Sequence, residues 1–399
     1  MRVLYVHFEG VGGGAANSLR YVIARLPPDV EHMVLCPRGS SAEAFRDSGL
    51  RVLDGPRVSV FANGVAAPLR GLRLLDLVRT LYLALREAAP LRRAIGEFKP
   101  QIVHLNERGL LHAAKIAKEY GAKVVMHARL PADRTCRWAH SISVRWINKY
   151  VDCLVPIDES VRRSLPEVSR CRVVYNPSRG RAGEDPAAYP RVPPEAGISL
   201  RVSFIAFLRD FKGVWDLLAA ARLLASRRDI VFQVAGGNSR PPEFYSSLFG
   251  RACSALGFSP DTERRMREAV ARHGLEGQVR MLGHVREITS LLEATDVLLF
   301  PSRMNAIGRS VYEAGVHGIP AIVTLKDRVE DIVEHGRTGI IVPEGAPAAL
   351  AAAVSCLASD TDLRRTLGAN ARRKYLAQFD AANSAKHLMQ IYEMVLAGA

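Results

Sequence analysis

Lys212 followed by Gly213, and Glu313 placed five residues after Gly308, are the side chains whose type and spacing suit the handling of an anionic ligand. The run from Phe300 to Gly315 reads as a buried strand, a glycine-containing turn and a helix start. At such a turn Gly308 lets an anion approach the backbone. The first helical N–H groups, those of Arg309 and Ser310, have no intrahelical acceptor and carry roughly half a positive charge between them. Glu313 falls about one turn into that helix, where a carboxylate can accept hydrogen bonds from a pair of hydroxyls. The run from Ile205 to Leu218 ends a strand in a cationic loop, Arg209-Asp210-Phe211-Lys212-Gly213, and an ammonium there can offset growing charge on a departing phosphate. A third segment, Gly10-Val11-Gly12-Gly13-Gly14, follows the first strand. Its glycines superficially match a dinucleotide fingerprint, but no acidic residue closes the second strand near Cys36, which disfavours nicotinamide binding.

The elements that must hold these residues follow a βαβ rhythm. Strands are predicted at Val3–Phe8, Glu31–Cys36, Ile102–Leu105, Lys123–His127, Cys153–Pro156 and Arg172–Tyr175, with helices near Ala15–Leu26, from Ser41, Leu110–Tyr120 and Ile142–Tyr150. A proline- and glycine-rich stretch without sustained periodicity covers 179–197 and reads as a linker. Beyond it, strands at Arg201–Leu208, Ile230–Ala235, Val279–Leu282, Asp296–Phe300 and Pro320–Thr324 alternate with helices, and helices at Asp360–Tyr375 and Ala381–Leu396 end the chain. The reading is two doubly wound α/β domains, 1–178 and 198–378, facing a cleft, with the helix of 379–399 packing back toward the first. Asn238 to Pro260 is longer than a simple strand-to-helix connection and is read as a lid.

Together the motifs resemble the retaining GT-B glycosyltransferases, specifically glycosyltransferase family 4 (glycosyl transferases group 1). The family's glycine-rich first loop is matched by Gly12 to Gly14, its glycine-rich strand end by Ala235-Gly236-Gly237, and its L-G-x-V segment by Leu282-Gly283-His284-Val285. The P-S-x-x-E-x-x-G-x-x-x-x-E-A signature is matched by Pro301 to Ala314, followed by Gly318-Ile319-Pro320 and Gly336-Arg337-Thr338-Gly339. The resemblance implies that 1–178 binds the acceptor and 198–378 the nucleotide sugar. By the same resemblance Lys212 holds the donor diphosphate. Gly308, Arg309 and Ser310 offer it main-chain donors, and Glu313 binds the ribose. Gly13, Gly14, Arg209, Gly236, His284 and Val285 complete the nucleotide-sugar contacts, and His127 and Asn305 act with Lys212 at the reacting sugar. Two positions depart from the family pattern: Phe207 stands where the family has Arg, and Asn305 replaces the first Glu of the E-x7-E pair. These departures make a catalytically silent nucleotide-sugar binder the alternative reading.

The implied reaction moves a sugar to a hydroxyl of a saccharide or lipid-diphosphate-linked acceptor, in polysaccharide or lipopolysaccharide synthesis, with retention of configuration. No D-x-D motif and no Cys/His cluster suggests a metal, and no cofactor is expected beyond the nucleotide-sugar substrate. Charge bears on the partner. The 399 residues carry +15 net, and residues 1–178 hold 27 cations against 16 anions, which places +11 of that charge on the first domain. Such a field attracts an anionic partner. Ala67 to Ile95 interleaves leucines with Arg70, Arg73, Arg79, Arg86, Arg92 and Arg93, which suits either core helices or an anionic membrane surface. Arg129, Arg134, Arg137 and Arg145 follow His127 and suit acceptor phosphates. The pI near 9.9 comes without any helix-turn-helix, zinc or RNP-like signature, which disfavours nucleic acid as partner. No apolar run reaches the roughly 20 residues of a membrane span, and the N-terminus lacks a signal-peptide core. The expected location is the cytoplasm, peripheral to the inner membrane.

Overall fold

The computed structural model describes every residue except Val11, Gly12, Arg57, Ser59, 62–72, 179–189, Ser239, Arg286, Asn305, 327–329 and Ala399, together with the side chains of Arg73 and Asp76. It divides into two units, Met1–Arg179 with Gln378–Ala399, and Gly180–Ala377. In the first, β1 (Arg2–Val6), α1 (Gly14–Ile23), β2 (Glu31–Pro37), α2 (Ser40–Asp47), β3 (Val52–Gly55), α3 (Arg73–Phe98), β4 (Ile102–Leu105), α4 (Leu111–Glu119), β5 (Lys123–Ala128), α5 (Arg137–Tyr150), β6 (Cys153–Pro156) and α6 (Glu159–Arg163) follow one another. The second holds β7 (Leu200–Ile205), α7 (Val214–Leu223), β8 (Ile230–Ala235), α8 (Pro242–Ser246), α9 (Leu248–Ala255), α10 (Thr262–Arg272), β9 (Val279–Gly283), α11 (Ile288–Glu293), β10 (Val297–Phe300), α12 (Arg309–Val316), β11 (Ala321–Thr324), β12 (Gly339–Val342), α13 (Pro347–Ser359) and α14 (Thr361–Gln378). The last helix, α15 (Ala381–Ala397), belongs to the first unit.

Each unit is built on a six-stranded parallel sheet, in the orders β3-β2-β1-β4-β5-β6 and β12-β11-β10-β7-β8-β9. Counted within its own unit, each order is 3-2-1-4-5-6, so winding reverses between β1 and β4 and again between β7 and β10. Loops on either side of such a reversal leave a crevice at the strands' carboxyl ends. The inner strands β4, β8 and β10 and the edge strand β6 are buried along their whole length, as expected where helices cover both faces. One face of the first sheet packs Leu4, Val103 and Val124 against α3, α4 and α5, and the other packs Tyr5 and Val125 against α1 and α15. The last helix is started by Asp380, whose carboxylate accepts from the Ala382 and Asn383 amides. It buries Leu388, Ile391, Tyr392 and Val395.

The stretch Arg172 to Tyr175, read from its β-branched run as a strand, does not extend the sheet. It lies alongside β6 through Leu154 N–H to Arg170 O, Arg172 N–H to Leu154 O and Val174 N–H to Pro156 O. The next rung would need an N–H from Pro156, which proline lacks, so only an isolated bridge between Leu154 and Cys171 forms. Asn238 to Pro260 carries two short helices, α8 and α9, and is pinned at its base by Asn238, which donates to Asp261 Oδ1 at 2.7 Å and accepts from the Glu263 amide at 3.1 Å.

Candidate functional site

After β7 the chain makes a tight turn, Asp210 to Lys212, closed by Gly213 in the left-handed region at φ 81°. A side chain there would also run into the Pro301 carbonyl, so glycine is required both for the turn and for the approach of the β10 loop. Lys212 is half-buried, with its ammonium 5.5 Å from the centre of the Phe300 ring and 5.9 Å from that of Phe211. Among the described residues no carboxylate pairs with it. Burial lowers the pKa of this lysine, because the charged form loses solvation that no protein anion restores.

The α12 turn meets Lys212 at the same aromatic ring. Gly308 caps α12 with no side-chain hydrogen bond, and a Cβ at this position would lie 2.6 Å from Phe300 ring carbons. Phe300 thus sets the spacing between the ammonium and the first turn of α12. The two loops are tied together by Arg303, whose amide donates to Phe211 O at 2.8 Å and whose guanidinium grips Asp216 at 2.9 and 2.6 Å. Glu313 accepts from Arg309 Nε at 2.6 Å through Oε1, and Oε2 has no partner among the described residues. This leaves one carboxylate oxygen for a hydroxyl. Arg209 opens the turn, its carbonyl accepting from the Lys212 amide at 2.9 Å. Asn305 lies outside the described residues.

The strand ends of β8 and β9 complete this side. The Gly236 amide donates to Gly283 O at 2.7 Å and the Leu208 amide to Gly237 O at 3.0 Å, which draws the ends of β7, β8 and β9 together. A cavity of about 650 Å³ opens there, lined by Phe207, Gly237, Arg240, Arg264, Arg267 and His284. Phe207 is 57% exposed, and His284 is exposed beside half-buried Val285.

In the first unit Gly13 caps α1 in an extended conformation and Gly14 is its first residue; a Cβ at Gly13 would meet nothing within 4 Å. Val11 and Gly12 lie outside the described residues. His127 is the penultimate residue of β5 and is buried, its Nδ1 2.6 Å from Nε2 of His104, whose Nδ1 is in turn 2.6 Å from Tyr392 Oη. Burial and the nearby Arg129 charge hold both imidazoles neutral, with the pKa of His104 lowered to about 3 and that of His127 well below its usual value. A third strand-end histidine, His7, lies 2.9 Å from Asn106 Nδ2 and has its pKa lowered to about 4 for the same reasons. Arg129 does not stand ready for an acceptor phosphate. Its guanidinium is buried and bound to Asn106 and to Asn176 Oδ1. Arg134, Arg137 and Arg145 are exposed, Arg134 pairing with Glu167 at 3.3 Å.

Sequence reasoning missed Arg303 with Asp216, Phe300 as a shared wall, and the neighbours of His127. The available signal for the last was that three parallel strands, β1, β4 and β5, each carry a histidine at or near the carboxyl end. Among the described residues no group of three His, Cys, Asp or Glu side chains is placed to hold a metal ion.

Comparison with known proteins agrees with this geometry. The profile of the glycosyl transferases group 1 matches residues 193–374, and that of the glycosyl transferase 4-like domain matches residues 13–177. The D-inositol 3-phosphate glycosyltransferase of Corynebacterium glutamicum is 28% identical over 232 residues, 56% of this chain and 50% of that protein. The chain thus spans about half the length of that relative. The glycogen synthase of Mycobacterium tuberculosis is 23% identical over 421 residues, 98% of this chain and 94% of its own. Among solved structures, Anabaena HepE in complex with UDP shares the fold with a TM-score of 0.74 at 18% identity, covering 98% of this chain and 100% of its own; HepE has also been solved with UDP-glucose. Two parallel sheets with 3-2-1-4-5-6 order give the chain the GT-B fold, and its two halves each match a glycosyltransferase domain profile.

Proposed function

We propose that this protein transfers a glycosyl group from a nucleoside diphosphate sugar to a hydroxyl of a saccharide or lipid-diphosphate-linked acceptor, with retention of configuration and without a metal ion or added cofactor. One observation carries the reading: Lys212 is a desolvated cation backed by two aromatic rings, with no carboxylate partner among the described residues, across Phe300 from the α12 N-terminus. An unpaired buried ammonium is costly unless an anion completes it. A diphosphate seated there takes up the electron pair of the breaking bond to the sugar's anomeric carbon, and Lys212 with the Arg309 and Ser310 amides meets the charge it gains. The acceptor oxygen bonds to that carbon from the same face and gives its proton to the departing phosphate oxygen. Glu313 Oε2 accepts a ribose hydroxyl, and the cavity beside Phe207 and His284 takes the base. Arg209 and Gly236 flank the nucleotide, and by the family resemblance Asn305 and His127 are the residues assigned to the reacting sugar. The complexes of HepE with UDP and UDP-glucose support a donor of this class.

The acceptor is read from the first unit. In α3, Leu74, Val78, Leu81 and Leu85 are exposed at spacings of four, three and four, with Leu75 and Tyr82 beside them and Arg79 and Arg86 exposed on the same half of the helix. Apolar side chains flanked by arginines suit the headgroup region of an anionic bilayer, where a lipid-linked acceptor in polysaccharide or lipopolysaccharide synthesis is found. The location that goes with this reading is the cytoplasmic face of the inner membrane. Among the described residues no helix is long and apolar enough to cross a bilayer.

The test is thermal stabilisation by UDP-, GDP-, ADP-, CMP- and dTDP-sugars in EDTA, paired with donor hydrolysis by wild type and Lys212→Ala. Stabilisation by one nucleotide sugar, with slow hydrolysis lost in the variant, is expected. Stabilisation without turnover under any acceptor would mark a catalytically silent binder, and no stabilisation by any nucleotide would sink the assignment of the site.

A further inference from the structure

His127 is not held by packing alone. Its Nδ1 begins a buried hydrogen-bonded series that runs through His104 and Tyr392 to Tyr5, with distances of 2.6, 2.6 and 3.3 Å. His104, Tyr392 and Tyr5 are fully buried, and His127 is 6% exposed. The register explains the assembly. Tyr5 pairs with His104 across β1 and β4, and His104 pairs with Val125, two residues before His127, so all four project from one face of the sheet. That face is the one covered by α15, which brings Tyr392 onto it.

The direction of the series fixes where protons sit. The Tyr392 hydroxyl donates to Tyr5 Oη and has one proton to give. Tyr392 must therefore accept from His104, whose proton lies on Nδ1. Both imidazoles are neutral, so His104 Nε2 carries a lone pair and accepts from Nδ1–H of His127. That leaves Nε2 of His127 as a lone pair, and it has no partner among the described residues.

We propose that Tyr392 and Tyr5 are positioning residues that act through His104 to fix His127 as the Nδ1–H tautomer, so that His127 meets the reactants only as a hydrogen-bond acceptor for a sugar or acceptor hydroxyl. The catalytic consequence rests on the role given to His127 above; the tautomer does not. A helix at the far end of the chain thereby sets the polarity of a nitrogen at the end of β5. Removing the Tyr392 hydroxyl would leave Nδ1–H of His104 buried without an acceptor. Moving that proton to Nε2 leaves only a bare lone pair there, which is cheaper, and pushes the His127 proton out to its own Nε2. Removing the Tyr5 hydroxyl acts the same way by another route. The Tyr392 proton loses its acceptor, turns back to His104 Nδ1, and again reverses the series.

The experiment uses the full chain with 15N-labelled histidine, and long-range proton–nitrogen correlation spectra assigned with His127→Asn and His104→Asn. Wild type should show His127 protonated at Nδ1 and bare at Nε2, and both Tyr392→Phe and Tyr5→Phe should exchange these. Under the proposed function, kcat should fall at least tenfold in each variant, with KM for the nucleotide sugar changed less than twofold. Tyr5→Phe is the safer variant should Tyr392→Phe fold poorly, since the Tyr5 hydroxyl bonds to Tyr392 and to neither histidine. A wild-type His127 protonated at Nε2, or a tautomer unmoved by both variants, overturns the proposal. Wild-type protein that turns over no nucleotide sugar overturns the proposed function instead, while the spectra still decide the tautomer.

Discussion

Replacing Lys212 by methionine separates a ligand-binding role from a structural one, because the two predict opposite balances. In the folded protein the ammonium is desolvated and has no carboxylate among the described residues. Its pKa is lowered, so the charged form burdens the folded state throughout the pH range below the folded pKa, and the burden lifts as pH rises toward the unfolded value. Against this stand two ring contacts at 5.5 and 5.9 Å, worth about 0.5–2 kcal/mol. Methionine keeps most of the apolar stem and removes the charge, so stability without ligand should change by less than about 1 kcal/mol, with either sign. Turnover should behave otherwise. A preorganised donor to developing charge is worth about 10²–10³ in kcat, so kcat/KM should fall by that factor. The assays are denaturant unfolding of the ligand-free protein and donor hydrolysis under EDTA. A loss of 3 kcal/mol or more on the scale of core truncations (about 2–5 kcal/mol), with turnover within threefold of wild type, would show that Lys212 serves the fold, and the site assignment would fail.

Gly308→Ala should lower donor affinity about tenfold and stability by about 1–3 kcal/mol, the usual cost of overpacking, because its Cβ meets the Phe300 ring at 2.6 Å. Adding Phe300→Leu should recover stability but not affinity, as read by calorimetry of both variants. On acidification His7, His104 and His127 resist protonation in the folded state, whereas the unfolded chain takes up protons below about pH 6.5. The first unit should therefore lose stability as pH falls from 6.5 toward 4, by about 1.4 kcal/mol per pH unit for each histidine, while stability stays flat from pH 7 to 8 on this account; urea titrations across that range check it. Leu81→Glu with Leu85→Glu should reduce sedimentation with anionic vesicles at least tenfold without altering the thermal transition, since Leu85 is 78% exposed.

The fold was legible where strands are buried on both faces, since Ile102–Leu105 and Cys153–Pro156 read as unbroken apolar runs and form β4 and β6 with those bounds. It was less so at the edges. The strand β3 is short and half-exposed, with Asp54 facing out, and so shows no continuous apolar run. The strand β12 follows directly on a glycine motif and was absorbed into it. The Arg172–Tyr175 misreading has its cause in a different segment, since only the missing N–H of Pro156 stops the ladder. The site shows the same division. Lys212, Gly308 and Glu313 were visible by type and spacing, whereas Phe300 looked like any strand aromatic. Its position between Lys212 and Gly308 depends on pairing with β7 and β11, which is tertiary information. Arg129 misled because an arginine's burial depends on Asn106 and Asn176, respectively 23 and 47 residues away.

The shared strand order also explains why the two units use their crevices differently. In the second sheet the reversal lies between β7 and β10, and the residues flanking it, Lys212 and Gly308, are left unsatisfied by the protein. In the first sheet the reversal lies between β1 and β4, and its flanking residues, His7 and Asn106, are bonded to each other, with Arg129 bound over Asn106. Identical topology therefore yields one crevice that awaits charge and one already filled by polar contacts. The second arrangement orients side chains more than it binds an anion, and it turns the chemistry of the first unit outward by one strand, to His127 at the end of β5. A charge-handling unit must keep its cation unpaired until substrate arrives. A unit that aims a neutral imidazole must instead hold the ring nitrogen facing away from the ligand in a hydrogen bond, because an unpartnered ring nitrogen would let the ring turn or change tautomer.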